Sequence, residues 1–431
     1  MKTEEKTEVG SYFISNYPPF SFWKRDFLPQ AERVLDQPSR EGVPLGLYLH
    51  IPFCRKRCKF CYFRVYTDKN SREVERYVSA LAREVDLYRT KEAFRSRPIN
   101  FAYFGGGTPS FLSAKQLQSL VERLRASVSW DGAEEVTFEC EPGTLTESKL
   151  RAIRDIGVTR LSLGVENFSD VILEENGRAH QSPEVFQAYE WARAAGFEQI
   201  NIDLISGMVG ETWENWRDCV KKTIDLEPDS LTVYQMELPF NALYSKDLGQ
   251  RGVEVADWRT KREWVDYAFS EMEKVGYQIS SAYTVVKSPS ASFVYRDAVW
   301  HGADMVGAGV ASFSHVGGLH YQNVDTFEEY AEALEEGRLP LGRALEVTPR
   351  QLLIREMILQ LKLGRLESGY FKNKFGKDIL DEFRDAFETH QKEGLLEIDA
   401  TGVTLSRAGL LRVDSLLPQF FEPAHRGARY T

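Results

Sequence analysis

Three cysteines lie within eight residues, in the segment Cys54-Arg-Lys-Arg-Cys58-Lys-Phe-Cys61. The apolar run 47–53 precedes them and predicts a short strand that ends in a loop. Three thiolates on one loop can ligate three irons of a four-iron, four-sulfur cube, which leaves the fourth iron without a protein ligand. A cluster that only transfers electrons normally has four cysteine ligands. The open iron therefore predicts that a small molecule binds there and that the cluster takes part in catalysis.

Two other interpretations of the three cysteines, a zinc site and disulfide bonds, have less support. A structural zinc site needs a fourth ligand, and the nearest candidate, His50, stands on the predicted strand four residues before Cys54. Disulfides are not expected, because five cysteines in 431 residues do not make a disulfide scaffold and the N-terminus shows no export signal. Cys140 and Cys219 are distant in sequence and are expected to be buried thiols.

A second candidate site is the segment Gly105-Gly-Gly-Thr-Pro109, which follows the predicted strand 99–104. Three glycines at a strand end let the backbone approach a ligand closely and expose amide N–H groups. A nucleotide or an amino-acid head group would suit such a loop. A tight turn alone would also explain the glycines, but the neighbouring cysteine loop favours a ligand site.

Alternating strands and helices must position these loops. The predicted strands are 47–51, 99–104, 136–140, 160–165, 200–205 and 231–235. The predicted helices are 71–90, which opens on a serine cap position, 114–128, 146–156, 183–196 and 212–226. Six βα units predict an α/β fold with a parallel sheet, which fits a partial, TIM-like (β/α)6 barrel better than an open doubly wound sheet. Active sites of such barrels lie at the carboxyl ends of the strands, where both loops fall.

The chain is predicted to divide into four parts. Residues 1–45 form an N-terminal arm across the main domain, because the segment 15–23 is aromatic and too apolar for a free tail. Residues 46–260 form the barrel core, and residues 261–345 form an auxiliary α/β segment that completes the active site. Residues 346–431 become helical and end in a hairpin, as in a winged-helix-like domain.

Charge and hydropathy limit the expected partners. The net charge is −10 and no basic patch dominates, so nucleic acid is not expected. No apolar run approaches the roughly 20 residues of a membrane span, and the N-terminus is polar, so a cytoplasmic protein is expected. The cysteine loop is locally basic, and its charges are either simply solvated or serve to offset a negative cluster or attract an anionic substrate. These basic residues are Arg55, Lys56, Arg57 and Lys59.

Together these features resemble the radical S-adenosylmethionine (SAM) superfamily and, within it, the subgroup of oxygen-independent coproporphyrinogen III oxidases, the HemN-like proteins. The resemblance extends from about residue 15 to about residue 425. The matching stretches are His50-Ile-Pro-Phe-Cys54, Tyr103-Phe-Gly-Gly-Gly-Thr-Pro-Ser110, Arg160-Leu-Ser-Leu-Gly-Val165, Asn201-Ile-Asp-Leu-Ile205 and Asp304-Met-Val-Gly-Ala-Gly-Val310.

The resemblance implies a 4Fe–4S cluster on Cys54, Cys58 and Cys61, two SAM molecules, and an electron donor such as flavodoxin or ferredoxin. It also implies that SAM chelates the open iron and is cleaved to methionine and a 5′-deoxyadenosyl radical, which takes hydrogen from an unactivated carbon. The implied contacts of the first SAM are Tyr48, Phe60, Gly106, Glu139 and Phe313. The implied contacts of the second SAM are Gly107, Thr108, Glu166, Arg178 and Asp203.

Several of these positions also have a physical reason. Glu139 and Asp203 stand within apolar strands, where an unpaired carboxylate is costly, and a ribose hydroxyl or a sulfonium would explain them. Arg178 could pair with a methionyl carboxylate, although an internal ion pair of Arg178 with Asp203 is the alternative. Gly106 and Gly107 are expected to be glycine because SAM occupies the space of a side chain.

Two positions depart from the coproporphyrinogen oxidases, which carry a further cysteine in place of Phe63 and a glutamine in place of Glu166. A heme-trafficking relative also lacks that cysteine, but its histidine-containing heme motif matches the segment Tyr295-Arg-Asp-Ala-Val-Trp300 and His301 poorly. We therefore expect a third branch, the class C radical methylases, which methylate or cyclopropanate an sp² carbon of an aromatic or conjugated substrate. Oxidative decarboxylation of porphyrinogen propionates and a heme chaperone are the alternatives.

Overall fold

A computed structural model gives the structure of this chain, and it describes residues 15–238, 242–244 and 255–428. Within these residues the chain forms fifteen strands, numbered here in chain order. They are β1 (Leu45–Ile51), β2 (Phe101–Gly106), β3 (Glu135–Cys140), β4 (Arg160–Glu166), β5 (Gln199–Ser206), β6 (Ser230–Gln235), β7 (Gln278–Ser281), β8 (Thr284–Val286), β9 (Asp304–Ala308), β10 (Phe313–Val316), β11 (Leu319–Asn323), β12 (Leu341–Glu346), β13 (Arg365–Glu367), β14 (Leu396–Ile398) and β15 (Gly402–Leu405).

Helices alternate with the first six strands. Asn70 caps the helix that follows β1, because its side chain accepts hydrogen bonds from the N–H groups of Arg72 and Glu73. The predicted serine cap is therefore wrong by one residue, and Ser71 is the first helical residue. The helices of the described residues are α1 (Leu28–Leu35), α2 (Ser71–Arg89), α3 (Ala114–Arg125), α4 (Glu147–Asp155), α5 (Asp170–Glu175), α6 (Ser182–Ala194), α7 (Trp213–Leu226), α8 (Trp258–Lys274), α9 (Val294–Trp300), α10 (Phe327–Glu335), α11 (Pro349–Leu361), α12 (Ser368–Phe375), α13 (Ile379–Glu382), α14 (Arg384–Lys392), α15 (Arg407–Leu411) and α16 (Val413–Leu416).

Twelve of the strands form one sheet, in the order β12-β11-β10-β9-β1-β2-β3-β4-β5-β6-β8-β7. Strands β1 to β6 are parallel to one another, and β9 is parallel to β1. The flanks are antiparallel, with β8 and β7 beside β6 and with β10, β11 and β12 beyond β9. The predicted α/β fold with a mostly parallel sheet is confirmed. The carboxyl ends of β1 to β6 meet at one edge, where the two predicted loops lie.

The two faces of the parallel strands differ because successive side chains point to opposite sides. Leu161, Leu163 and Val165 of β4 are fully buried in the main hydrophobic core. The inward face is polar: the Asn201 side chain donates to Ser162 Oγ at 3.0 Å and accepts from Ser230 Oγ at 2.7 Å. These bonds join β4, β5 and β6 across the interior. They fix the strands whose ends carry the candidate site.

The segment before β1 packs against the antiparallel flank and the C-terminal region. The Trp23 ring stacks on His320 with centroids 5.4 Å apart, and the Tyr17 ring lies 5.0 Å from Phe421. Beyond β12 the chain is mostly helical, with a small sheet in the order β13-β15-β14 and a separate hydrophobic cluster. The division of the chain into four parts stays a prediction.

Candidate functional site

A cavity of about 430 Å³ opens inside the curve of the parallel strands. It extends from the three-cysteine loop, at the carboxyl end of the sheet, along the inward faces of β4, β5 and β6. Eleven of the thirteen predicted site residues line it together. They are Cys54, Cys58, Phe60, Cys61, Gly106, Gly107, Thr108, Glu139, Glu166, Arg178 and Asp203.

Two predicted SAM contacts do not line this cavity. Tyr48 stacks on Tyr103 with ring centroids 5.8 Å apart, and its hydroxyl lies 3.3 Å from His50 Nδ1. Phe313 stacks on Phe20 of the N-terminal arm with centroids 4.3 Å apart. In this structure Tyr48 supports a residue of the cavity wall, and Phe313 is covered by the arm. Their roles as SAM contacts stay predictions.

The cysteine loop is closed at its base by backbone hydrogen bonds. The N–H of Cys54 donates to the carbonyl of Tyr66 at 3.1 Å, and the N–H of Tyr66 donates to the carbonyl of Pro52 at 2.8 Å. A third bond runs from the N–H of Lys59 to the carbonyl of Asn176 at 3.0 Å, just beyond α5. The loop is therefore fixed both to the end of β1 and to the segment that carries Arg178.

All five cysteines are free thiols, and the three of the loop are half-buried. Thr108 Oγ1 donates to Cys54 Sγ at 3.3 Å, and Arg178 Nη1 donates to Cys58 Sγ at 3.3 Å. Burial raises the pKa of Cys54 to about 12 and that of Cys61 to about 11. These three thiols line one cavity, and two of them accept a hydrogen bond. They are suited to bind an iron–sulfur cluster, because iron would supply the positive charge that stabilises a thiolate at this site.

The zinc alternative would need His50 beside the three cysteines. Within the described ranges, no group of three or more His, Cys, Asp or Glu side chains, the three cysteines included, is close enough to hold a metal ion. His50 is buried against the glycine loop rather than directed toward the cysteines. Cys219 is buried as expected, whereas Cys140 is buried but also lines the cavity.

The glycine loop lies directly against the end of β1. Gly106 has a φ of +115°, and a Cβ there would lie 2.6 Å from the His50 ring. A Cβ on Gly107 would lie 2.9 Å from the carbonyl carbon of Pro52. The positive φ of Gly106 and the close contacts at both positions already require glycine, independently of any ligand. The expected SAM contact at Gly106 and Gly107 stays a prediction.

Three half-buried acids, Glu139, Glu166 and Asp203, face the cavity. Glu139 accepts from the Tyr103 hydroxyl at 2.6 Å and from the N–H of Gly106 at 3.2 Å. Burial raises the pKa of Glu139 to about 7, with a further contribution from Asp203. Burial also raises the pKa of Glu166 to about 7. Glu166 sits at an irregularity of β4 with a φ of +65°, a backbone conformation that a non-glycine residue adopts at a cost.

Arg178 reaches across the carboxyl end of the site. Its Nη2 donates to the carbonyl of Gly164 at 2.7 Å, and the same nitrogen lies 3.6 Å from Glu166 Oε1. Asp203 instead accepts from Ser162 Oγ at 2.8 Å and from Asn201 Nδ2 at 2.9 Å. The alternative ion pair of Arg178 with Asp203 is thus not formed, and the acidic partner of Arg178 is Glu166.

Sequence reasoning missed several residues of the cavity wall. Arg160 begins β4 and points inward with Ser162 and Glu166, so the two-residue period of a strand could have identified it. Tyr62 and Phe63 line the mouth of the cavity. Tyr62 gave no sequence signal beyond its nearness to Cys61, and Phe63 was noted only as the position where the coproporphyrinogen oxidases carry a cysteine. The further lining residues not predicted include Tyr103, Tyr234 and Phe293.

Comparison with known proteins identifies the domain that contains this site. The model of the radical SAM superfamily matches residues 48–223. The chain is 28% identical to the heme chaperone HemW of Bacillus subtilis, over 84% of this chain and 96% of that protein. It is 26% identical to the oxygen-independent coproporphyrinogen III oxidase of Escherichia coli, over 93% of this chain and 90% of that protein. The solved structure of coproporphyrinogen III oxidase (HemN) from Escherichia coli matches with a TM-score of 0.81 and 25% identity, over 95% of this chain and 96% of that one.

These findings confirm the radical SAM resemblance, its HemN-like subgroup and the predicted cofactors, a 4Fe–4S cluster and SAM. The prediction of a class C methylase is wrong. Relatives that match over most of the chain include coproporphyrinogen III oxidases and a heme chaperone, which favours the alternatives over the methylase. Among the described residues, no helix has the length and apolar character needed to cross a membrane.

Proposed function

Because this chain carries a radical SAM domain and is similar over most of its length to oxygen-independent coproporphyrinogen III oxidases, we propose that it oxidatively decarboxylates propionate side chains of a porphyrinogen-like substrate. In that reaction a propionate loses a hydrogen atom, carbon dioxide and one electron and becomes a vinyl group. One observation carries the proposal: the same cavity contains the cysteine loop at one end and a polar, partly cationic wall at the other.

The carboxyl end of the cavity supplies the residues for the cofactors. When bound, the cluster and SAM supply a carbon radical that takes a hydrogen atom from the substrate. Cys54, Cys58 and Cys61 would hold the cluster. The hydrogen bonds from Thr108 to Cys54 and from Arg178 to Cys58 would stabilise the thiolate form of these two ligands.

The half-buried acids and Arg178 would hold SAM. With pKa values near 7, Glu139 and Glu166 can each accept a hydrogen bond from a ribose hydroxyl or share a proton with it near neutral pH. Arg178 would place its guanidinium near the carboxylate of a second SAM. The SAM contacts stay proposals, and the position of eight of the ten in the cavity wall supports them.

The mouth of the cavity suits a flat, anionic substrate. The rings of Tyr62 and Phe63 lie 4.6 Å apart, and the two residues are 37% and 47% exposed. Such aromatic faces favour stacking with a conjugated or pyrrolic ring. Lys56 and Arg57 line the same mouth, where their positive charge would favour propionates over neutral side chains.

The extent of the match, rather than the identity, supports the oxidase. Coproporphyrinogen III oxidases match 88% to 96% of this chain at 24% to 27% identity, whereas the heme chaperone matches 84% at 28% identity. An external electron donor of the flavodoxin or ferredoxin class and a cytoplasmic location stay predictions.

The proposal is tested with the iron-reconstituted chain, SAM, a reductant and coproporphyrinogen III whose propionate carboxyl groups carry ¹³C, under anaerobic conditions. We expect labelled carbon dioxide and a vinyl product, both absent in a Cys58→Ala variant. SAM cleavage without release of labelled carbon dioxide would exclude this substrate, and a product heavier by one methyl group would exclude decarboxylation altogether.

A second candidate, heme binding, has one specific observation in its favour. Of the seven histidines, all of which lie in described parts of the chain, only His301 is exposed and therefore accessible to a heme iron. Titration with heme should then give a Soret band that a His301→Ala variant loses. If the band is absent from the wild-type chain, or unchanged in the variant, this candidate fails.

A further inference from the structure

The far end of the cavity is formed by the first residue of β4. Arg160, Ser162, Gly164 and Glu166 alternate along the strand and all line the cavity. Six residues of extended chain separate Arg160 from Glu166, which places their main chains roughly 20 Å apart. Arg160 therefore marks the amino end of the barrel interior, opposite the cysteine loop.

Arg160 is buried without a polar partner. The residue is 2% exposed, and its Nε is buried without a hydrogen bond. Across the part of the chain that the structure describes, its guanidinium makes neither a hydrogen bond nor an ion pair. It lies over the Phe293 ring, with 4.1 Å between the guanidinium carbon and the ring centroid. Burying a guanidinium without hydrogen bonds costs free energy, and an anionic ligand that accepted its hydrogen bonds would offset this cost.

The neighbouring carboxylates are already satisfied by other donors. Glu135 accepts from the N–H groups of Val294 at 3.0 Å and Tyr295 at 3.1 Å. Asp203 accepts from Ser162 and Asn201. Neither acid lies within ion-pair distance of the Arg160 guanidinium. Its planar donors therefore remain available to a molecule in the cavity.

Tyr234 of β6 lines the same cavity and has no hydrogen bond to any described residue. The register pairs it with Ile205, one residue beyond the level of Glu166, so its main chain lies at the carboxyl end of the sheet. The charged group at the amino end that suits a carboxylate is therefore Arg160, whose guanidinium can donate two parallel hydrogen bonds.

We propose that Arg160 binds a carboxylate of the substrate at the amino end of the barrel. The inference rests on the proposed function, since a porphyrinogen carries several propionates. One propionate would contact Arg160 while another lies near the cysteine loop and reacts. Substrate selection would then depend on a carboxylate that the reaction does not consume.

The test compares Arg160→Gln with a matched control, Arg296→Gln. Arg296 lies 5.9 Å from the same Phe293 ring, but its Nε donates to Asp297 at 2.8 Å and the residue does not line the cavity. Sodium propionate, with sodium chloride at equal ionic strength as reference, should raise the melting temperature of the wild type and of Arg296→Gln. It should leave Arg160→Gln unchanged. An equal rise in all three proteins, or no rise in the wild type, would overturn the proposal.

A second measurement links Arg160 to the substrate. In turnover with coproporphyrinogen III, Arg160→Gln should raise KM by about tenfold or more and lower kcat much less, because the lost contact is remote from the reacting carbon. An unchanged KM would overturn the proposal. The propionate measurement needs no turnover, so loss of the proposed decarboxylation with retained, Arg160-dependent propionate binding would reject the reaction and keep the carboxylate site.

Discussion

The two ends of the cavity differ in how their arginines are partnered. Arg178, at the carboxyl end, contacts Cys58 Sγ, the Gly164 carbonyl and Glu166 within the chain itself. Arg160, at the amino end, is more deeply buried, lies over the Phe293 ring and forms no hydrogen bond or ion pair with a described residue, although its charge attracts Glu135 and Asp203 at longer range. The carboxyl end is therefore assembled before any cofactor binds, whereas the amino end leaves a charge for a ligand to neutralise. This difference indicates a fixed cofactor end and a substrate end that is completed by binding.

The largest expected effect comes from removing a cysteine at the cofactor end. Cys58→Ala should lose bound iron and sulfide and should abolish SAM cleavage, because a cluster with two protein ligands is not retained. Iron and sulfide analysis with an assay for 5′-deoxyadenosine measures both effects. Cys219→Ala is the matched control, since Cys219 is buried outside the cavity wall. Cluster loss in the control together with retention in Cys58→Ala would reverse the assignment.

Replacing each of the two arginines by methionine tests whether Arg178 contributes to stability and Arg160 does not. Arg178→Met leaves Glu166 without its partner and should lower the free energy of unfolding by roughly 3–5 kcal/mol. Arg160→Met removes a buried charge that forms no hydrogen bond or ion pair with a described residue, at the loss of its longer-range attraction for Glu135 and Asp203, and should change the free energy of unfolding by about 1 kcal/mol or less. Chemical denaturation of both variants measures the difference. Equal destabilisation would mean that Arg160 is a structural residue like Arg178.

The glycine loop should be sensitive to a single methyl group. Gly106→Ala should lower the free energy of unfolding by about 3 kcal/mol, because it adds a backbone penalty and a contact with the His50 ring. Gly42→Ala is the control: it also has a positive φ, of +74°, but a Cβ there meets nothing within 4 Å. Its cost should be about 1 kcal/mol. Equal costs at the two positions would show that packing against β1 contributes nothing.

The smallest expected effect is a pH dependence at Glu166. Its folded pKa of about 7 lies above its usual value, so its contribution to stability is complete below about pH 4.5 and is lost as the pH rises through 7. Glu166→Gln should therefore match the wild type near pH 5 and exceed it by about 2 kcal/mol near pH 8. Denaturation at both pH values measures this. A variant that is less stable at pH 8 would show that the ion pair with Arg178 outweighs the cost of burial.

The sequence predicted the parallel half of the sheet well. Each of the six predicted strands ends within two residues of the observed one, because an apolar strand followed by an amphipathic helix gives a local pattern. The antiparallel flanks were not resolved, since β7 and β8 are four and three residues long and their pairing depends on distant chain segments. Short strands without periodicity carry little local signal.

The candidate site was predictable in its residues but not in its contacts. The cysteine spacing identifies the loop, and eleven residues meet at one cavity as the family resemblance implied. The reason for glycine at position 106 depends on the register that sets Ile51 beside it, which brings His50 against the loop. The choice of Glu166 over Asp203 as the partner of Arg178 depends on an irregularity of β4. Both facts arise from three-dimensional register, which spacing along the chain does not contain.

The central claim is that one cavity holds the radical source at one end and a propionate-bearing substrate that reaches to the other. Its most direct test uses coproporphyrinogen III deuterated on the side-chain carbon next to each ring, incubated anaerobically with the reconstituted chain and SAM. We expect one deuterium atom in 5′-deoxyadenosine for each vinyl group that is formed. Deuterium-free 5′-deoxyadenosine with unchanged porphyrinogen would contradict it.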